Sequence, residues 1–184
     1  MENTKTNYSR RTFLKSSALA GGGLMISFSA LAKLGLEDKV SGPADQWYEL
    51  TGYIQITPDN IIKIFNPNPE FGQNVMTTLP MIVAEELDAD WKKVVVEMGP
   101  HDSVKLGPQF TGGSNSTRMY WKPLREAGAA ARNMLMQAAA QTWSVPVEEV
   151  TAKGGMLYHE KTAKSGTYGS FASKASTIPV PKGP

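Results

Sequence analysis

The sequence has no cysteine and only two histidines in 184 residues. Without cysteine this chain can carry no disulfide scaffold, Cys nucleophile, thiolate zinc site or iron–sulfur cluster. His101 and His159 stand far apart, with no metal-ligand spacing. Charge of one sign is also scarce: 19 basic against 17 acidic side chains leave a formal charge of +2. Even that excess is local. The first 32 residues hold four basic side chains against one acidic, and the remaining 152 hold 15 against 16. No basic–aromatic stripe is present, so no nucleic-acid partner is expected. The longest apolar run, Ala18 to Leu31, contains Gly21-Gly22-Gly23 and is too short for a comfortable membrane span. Neither a Walker loop nor a dinucleotide fingerprint occurs. With 41% apolar and 20% charged residues, the chain is neither a disordered tail nor membrane-embedded throughout. Its length suits one domain with a real core.

What is present begins with a leader. Ser9-Arg10-Arg11-Thr12-Phe13-Leu14-Lys15 precedes the apolar run, and Ala30-Leu31-Ala32 supplies small residues for cleavage. These are the three parts of an export signal over residues 1–32. The paired arginines resemble the twin-arginine signal, which sends already folded proteins across the membrane. A periplasmic location follows, with membrane association if the leader is retained. Proteins exported folded often carry a cofactor inserted in the cytoplasm. Residues 33–46 read as a polar linker.

The remainder, 47–184, alternates between strand and helix patterns. Gly52–Ile56 and Ile61–Phe65 flank the turn Pro58-Asp59-Asn60, which predicts a β-hairpin. Val75, Leu79, Ile82, Val83 and Leu87 fall on one helical face, with Pro80 inside the pattern. Val94–Met98 reads as a strand. Tyr120, Leu124, Ala127, Ala131, Met134 and Ala138 mark a second helix, whose regular part is expected to start near Pro123. Ser144–Val147 opens a return strand or turn, Met156–Tyr158 is a strand and Thr167–Ala175 a short helix. The expectation is a two-layer α+β arrangement, β-β-α-β-α-β plus a helix.

Each of the two long helices follows a glycine-containing polar loop, Gly72-Gln73-Asn74 and Thr111-Gly112-Gly113-Ser114-Asn115-Ser116. A helix N-terminus presents unpaired N–H groups and partial positive charge. Glycine lets a ligand approach the backbone, and hydroxyls add adaptable hydrogen bonds. Two such loops suit opposite ends of a phosphate-bearing cofactor, although plain helix capping explains the same spacing. Gln73 both donates and accepts, which suits the edge of a heterocycle or an oxo group. Glu85 and Glu86 read as a solvated helix face, and Met76, Met81, Met134 and Met136 as core filling.

Together these segments resemble a known family. The runs Pro67-Asn68-Pro69-Glu70-Phe71-Gly72-Gln73-Asn74 and Thr77–Asp88, with Asp90-Trp91, resemble the start of the large, molybdopterin-binding subunit of isoquinoline 1-oxidoreductases. Thr111–Ser116 and Leu124–Arg132 do so as well. That is a branch of the xanthine dehydrogenase and aldehyde oxidase family. The resemblance implies hydroxylation of an aldehyde or N-heterocycle at an electron-poor carbon, with water as oxygen donor. It implies molybdopterin cytosine dinucleotide as cofactor, contacted by Gly72, Gln73 and Asn74 and by Thr111, Gly112, Gly113, Ser114 and Ser116. The family's commonest pattern has glycine where this chain has Asn74; asparagine is the next-best residue for a left-handed backbone. Electrons would leave through two [2Fe–2S] clusters on a separate small subunit, then to a cytochrome c acceptor. No residue here matches the family's C-terminal catalytic glutamate, and none is assigned a catalytic or metal-ligating role. Residues 47–184 therefore read as a partial molybdopterin-binding domain, the N-terminal portion of a large subunit, inactive alone and partnered by the rest of it. The alternative expectation is a stand-alone exported binding or assembly module.

Overall fold

The computed structural model describes residues 46–181. The leader, the linker up to Asp45 and the last three residues lie outside them. Strands β2 (Ile54–Ile56) and β3 (Ile62–Asn66) form the expected antiparallel hairpin. Ile54, Ile56, Ile62 and Ile64 point to one face and are fully buried, which is the period of two that makes a half-buried sheet. The opposite face carries Lys63, paired with Glu97 at 2.9 Å, with its ammonium 4.1 Å from the centre of the Trp47 ring. Two partnerships were not legible in advance. A first strand, β1 (Tyr48–Thr51), pairs antiparallel with β2 across a register shift between Glu49 and Thr51. Strand β4 (Val94–Met98) pairs parallel with β3, from Ile62–Val94 to Asn66–Met98. The crossover that a parallel pair requires is helix α1 (Val75–Leu87).

All five apolar residues of the α1 pattern are buried. Pro80 lies inside the helix, in its second turn, where it removes only the bond to the Met76 carbonyl and the helix runs on. Helix α2 spans Ser116–Trp143 and so corrects the expected start near Pro123 by seven residues. Pro123 sits on the exposed side, and Met119, whose carbonyl loses its donor, is 40% exposed, so the lost bond falls on the solvent side of the helix. The small face of α2 is spent on α1. A Cβ on Gly128 would lie 2.7 Å from the Val83 carbonyl oxygen and 2.8 Å from Glu86 Cβ, so only glycine permits this approach. Leu79, Val83 and Leu87 of α1 join Leu124, Ala131, Met134 and Ala138 of α2 over the isoleucines of the sheet in one core.

Ser144–Val147 does not begin a strand; Ser144 caps α2 in the left-handed region and Val147–Glu149 is a 3-10 turn. A second antiparallel sheet follows, β5 (Thr151–Lys153), β6 (Met156–His159) and β7 (Lys164–Thr167), of which only β6 was expected. It is fastened to the C-terminal end of α1, since the N–H groups of Gly155 and Gly154 donate to the Asp88 carbonyl and carboxylate at 2.8 and 3.0 Å. Helix α3 (Tyr168–Ala175) is capped by Thr167, and the buried Tyr168 hydroxyl donates to the Leu87 carbonyl at 2.7 Å. The α+β class holds: the described residues form three α-helices and two small sheets. Among the described residues, no helix is long and apolar enough to cross a membrane.

Candidate functional site

Strand β3 ends at Asn66, and the chain then takes Pro67-Asn68-Pro69-Glu70 toward α1. Proline fixes its own φ and holds the preceding asparagine extended, so this segment cannot wander. The second loop is pinned from α2. The buried Tyr120 hydroxyl donates to the Leu106 carbonyl at 3.0 Å and accepts from the Gln109 N–H at 3.1 Å. Burial pushes this phenol's pKa up, so it stays a neutral donor. Gln109 in turn accepts from Asp102 N–H at 2.7 Å and donates to the Pro100 carbonyl at 2.9 Å.

Two cross-links then bring the loops together. Thr111 Oγ1 donates to the Pro69 carbonyl at 2.9 Å, and Asn68 Nδ2 donates to Ser116 Oγ at 2.9 Å. Between them lies a cleft of about 450 Å³ lined by Phe71, Gln73, Val75, Thr111, Gly112, Ser114, Ser116 and Thr117. Five of the eight residues singled out in the sequence thus face one space. The other three, Gly72, Asn74 and Gly113, shape its walls. Gly72 has φ +96° and needs glycine for that reason, because a Cβ there would meet nothing within 4 Å. Asn74 adopts φ +64°, the left-handed backbone that asparagine tolerates. At Gly112 a Cβ would meet the far edge of the exposed Phe110 ring at 2.5 Å, a contact the ring can turn away from.

The chemistry of the two helix starts differs. At α2, left-handed Ser114 (φ +55°) precedes right-handed Asn115, a succession that turns neighbouring N–H groups toward one concavity. Asn115 makes no side-chain cap, so the first-turn N–H groups of α2 face the Ser114, Ser116 and Thr117 end of the cleft without a side-chain acceptor. Ser116 Oγ accepts from Asn68, which leaves its own O–H to donate. Asn68 is fully buried, and its Oδ1, like that of Asn66, has no partner among the described residues. At α1 one acid gathers the donors of the loop and of the Met76 N–H. The Glu70 carboxylate accepts from the N–H groups of Gly72, Asn74 and Met76 at 2.6, 3.0 and 3.0 Å. Those bonds, that to Met76 foremost, hold the Glu70 carboxyl below the ordinary carboxylate range. Gln73 turns back on its own loop, accepting from Phe71 N–H at 2.5 Å and donating to the Pro69 carbonyl at 3.0 Å. Pro69 therefore receives one donor from each loop.

Sequence reasoning missed Asn68, Glu70, Phe71, Thr117, Gln109 and Tyr120. An acid two residues before Gly72 and four before Asn74 was the available signal for Glu70. The residues set aside stay apart from the cleft. Glu86 pairs with Arg125 and Glu85 is exposed. His159 is buried, with Nε2 2.9 Å from Glu149 Oε2 and Nδ1 2.7 Å from Thr162 Oγ1, and it fastens the second sheet. Among the described residues, no group of three or more histidine or acidic side chains is placed to hold a metal ion.

Against known proteins, residues 17–182 match the family described as molybdopterin cofactor-binding domain. The chain belongs to that family. It is 40% identical over 136 residues to the isoquinoline 1-oxidoreductase subunit beta of Brevundimonas diminuta, covering 71% of this chain and 17% of that one. It is 33% identical over 156 residues to the membrane-bound aldehyde dehydrogenase (pyrroloquinoline-quinone) of Gluconacetobacter polyoxogenes, covering 83% and 20%. The family's fold appears in quinoline 2-oxidoreductase of Pseudomonas putida 86, with a TM-score of 0.54 at 18% identity over 68% of this chain and 16% of that one. The chain thus spans about a fifth of the length of these curated relatives.

Proposed function

We propose that this chain is the N-terminal cofactor-binding segment of a molybdenum hydroxylase large subunit, and that it holds one side of a molybdopterin cofactor in the cleft between its two loops. The carrying observation is the convergence of Gln73, Thr111, Gly112, Ser114 and Ser116 on that cleft in a chain of this family. The donor set fits the group. Hydroxyls and open N–H groups gather at the α2 end, and a carboxamide beside an exposed aromatic ring stands at the α1 end. No charged side chain lines the space. Ser114, Ser116 and Thr117, with the first-turn N–H groups of α2, take phosphate oxygens. Gln73 serves the edge of the heterocycle, and Phe71, 74% exposed, supplies a flat apolar wall.

When bound, the molybdenum centre supplies hydroxylation of an electron-poor carbon of an aldehyde or N-heterocycle, with water as oxygen source. This chain's residues position the group and contribute no general base of their own. The cytosine dinucleotide form is the reading adopted from the isoquinoline oxidoreductase branch. Further segments of the large subunit close the open side of the cleft, so the chain alone is inactive. A small subunit carries the [2Fe–2S] clusters that a cysteine-free chain cannot, and a cytochrome c accepts the electrons. The twin-arginine leader places the assembly in the periplasm. One observation favours a stand-alone binding module instead: the Ala/Gly face of α2 is covered by α1 within the chain.

The test is the double variant Ser114→Ala/Ser116→Ala, beside Gln73→Ala, in the native protein that carries this sequence. Molybdenum and released CMP per polypeptide are expected to fall together. Unchanged content in all variants contradicts this use of the cleft.

A further inference from the structure

Glu70 has no place in the cofactor assignment above, yet it makes three of the hydrogen bonds that shape the α1 wall of the cleft. An ordinary helix cap serves donors of the first helical turn. Here only the Met76 N–H belongs to that turn. The Gly72 and Asn74 N–H groups precede the helix and lie immediately on either side of Gln73. One carboxylate therefore clamps Gln73 from both flanks and ties the clamp to α1. Asn74, at the N-cap position, makes no side-chain cap of its own, so Glu70 stands in from four residues upstream. The clamp also carries charge. A carboxylate already sits at the positive end of α1, and a second anion arriving there meets repulsion and finds these donors taken.

We infer that Glu70 is the positioning residue of the Gly72-Gln73-Asn74 wall, holding Gln73 in place for the ligand and directing the ligand's anionic end to α2. The inference rests on the cofactor reading of the cleft only in its second half; the clamp itself is a property of the chain.

The experiment is amide hydrogen exchange on the full chain, wild type against Glu70→Gln and Glu70→Ala, with molybdenum and pterin content measured on the same variants in the native protein. Glu70→Gln keeps a carbonyl oxygen for Gly72 and Asn74 but sets an NH₂ against the Met76 N–H. Its Met76 amide is expected to exchange about tenfold faster than wild type, as loss of a hydrogen bond to a charged group implies. Glu70→Ala releases all three amides and lowers cofactor content severalfold. Amides of α1 beyond its first turns, Val83 to Leu87, are expected to stay at wild-type rates; a role confined to stabilising the helix would move them too. Wild-type exchange at all three amides in Glu70→Ala overturns the clamp. Full cofactor content in Glu70→Ala, with a loaded wild type, overturns the positioning role. If the wild type carries no pterin but the three amides respond, the clamp stands and the cofactor reading is what fails.

Discussion

At the residue scale, polar atoms at loop boundaries decide whether the site exists. Glu70 prefers its charged form in the folded loop, so its contribution is complete above about pH 4.5, the ordinary carboxylate value. That contribution disappears as pH falls through the depressed folded value. The amide resonances of Gly72, Asn74 and Met76 are therefore expected to titrate together, with a midpoint below 4.5. A midpoint above it contradicts the clamp. Tyr120 does the corresponding work for the second loop. Tyr120→Phe leaves the Leu106 carbonyl and Gln109 N–H without their partner and is expected to cost about 1–3 kcal/mol in denaturant titration. Around the cleft, Gln73, Asn74 and the loop glycines and hydroxyls were singled out in advance. The spacing of Glu70 from Gly72 and Asn74 was a signal left unused, whereas Asn68 acts through Ser116, 48 positions away, and a lone asparagine in sequence carries no mark of that.

At the element scale, the reading succeeded wherever periodicity is set by burial. Every position of the two helical apolar patterns is buried, and so are Ile54, Ile56, Ile62 and Ile64 of the hairpin, but Met81, read as core filling, is 53% exposed on the outer side of its helix. It failed where local composition is weak or pairing is remote. Strands β5 and β7, Thr-Ala-Lys and Lys-Ser-Gly-Thr, have no apolar alternation to find. The parallel partnership of β3 with β4 joins residues some thirty positions apart, and no local pattern records it. Pro123 misled because a proline on an exposed helix face leaves its orphaned carbonyl on the solvent side. It still removes a bond. Pro123→Ala is expected to raise stability by about 1–3 kcal/mol, read as a higher denaturation midpoint. Gly128→Ala should do the reverse by about 1–3 kcal/mol, since the new methyl meets the Val83 carbonyl at 2.7 Å and α1 must shift.

At the scale of the whole molecule, the fold presents an open cleft between two loops. β3 delivers one loop, α2 anchors the other, and Pro69, Thr111, Asn68 and Ser116 join them. Family membership gives the chain a class of ligand, and on the proposed reading the asymmetry of the two helix starts would give that ligand a direction. The most direct test of the account is cofactor analysis of the native protein carrying this sequence, recovered from the cell envelope fraction. Molybdenum together with oxidised-pterin fluorescence and CMP is the predicted result. A preparation that lacks molybdenum and pterin, whether it yields pyrroloquinoline quinone or no cofactor at all, contradicts it.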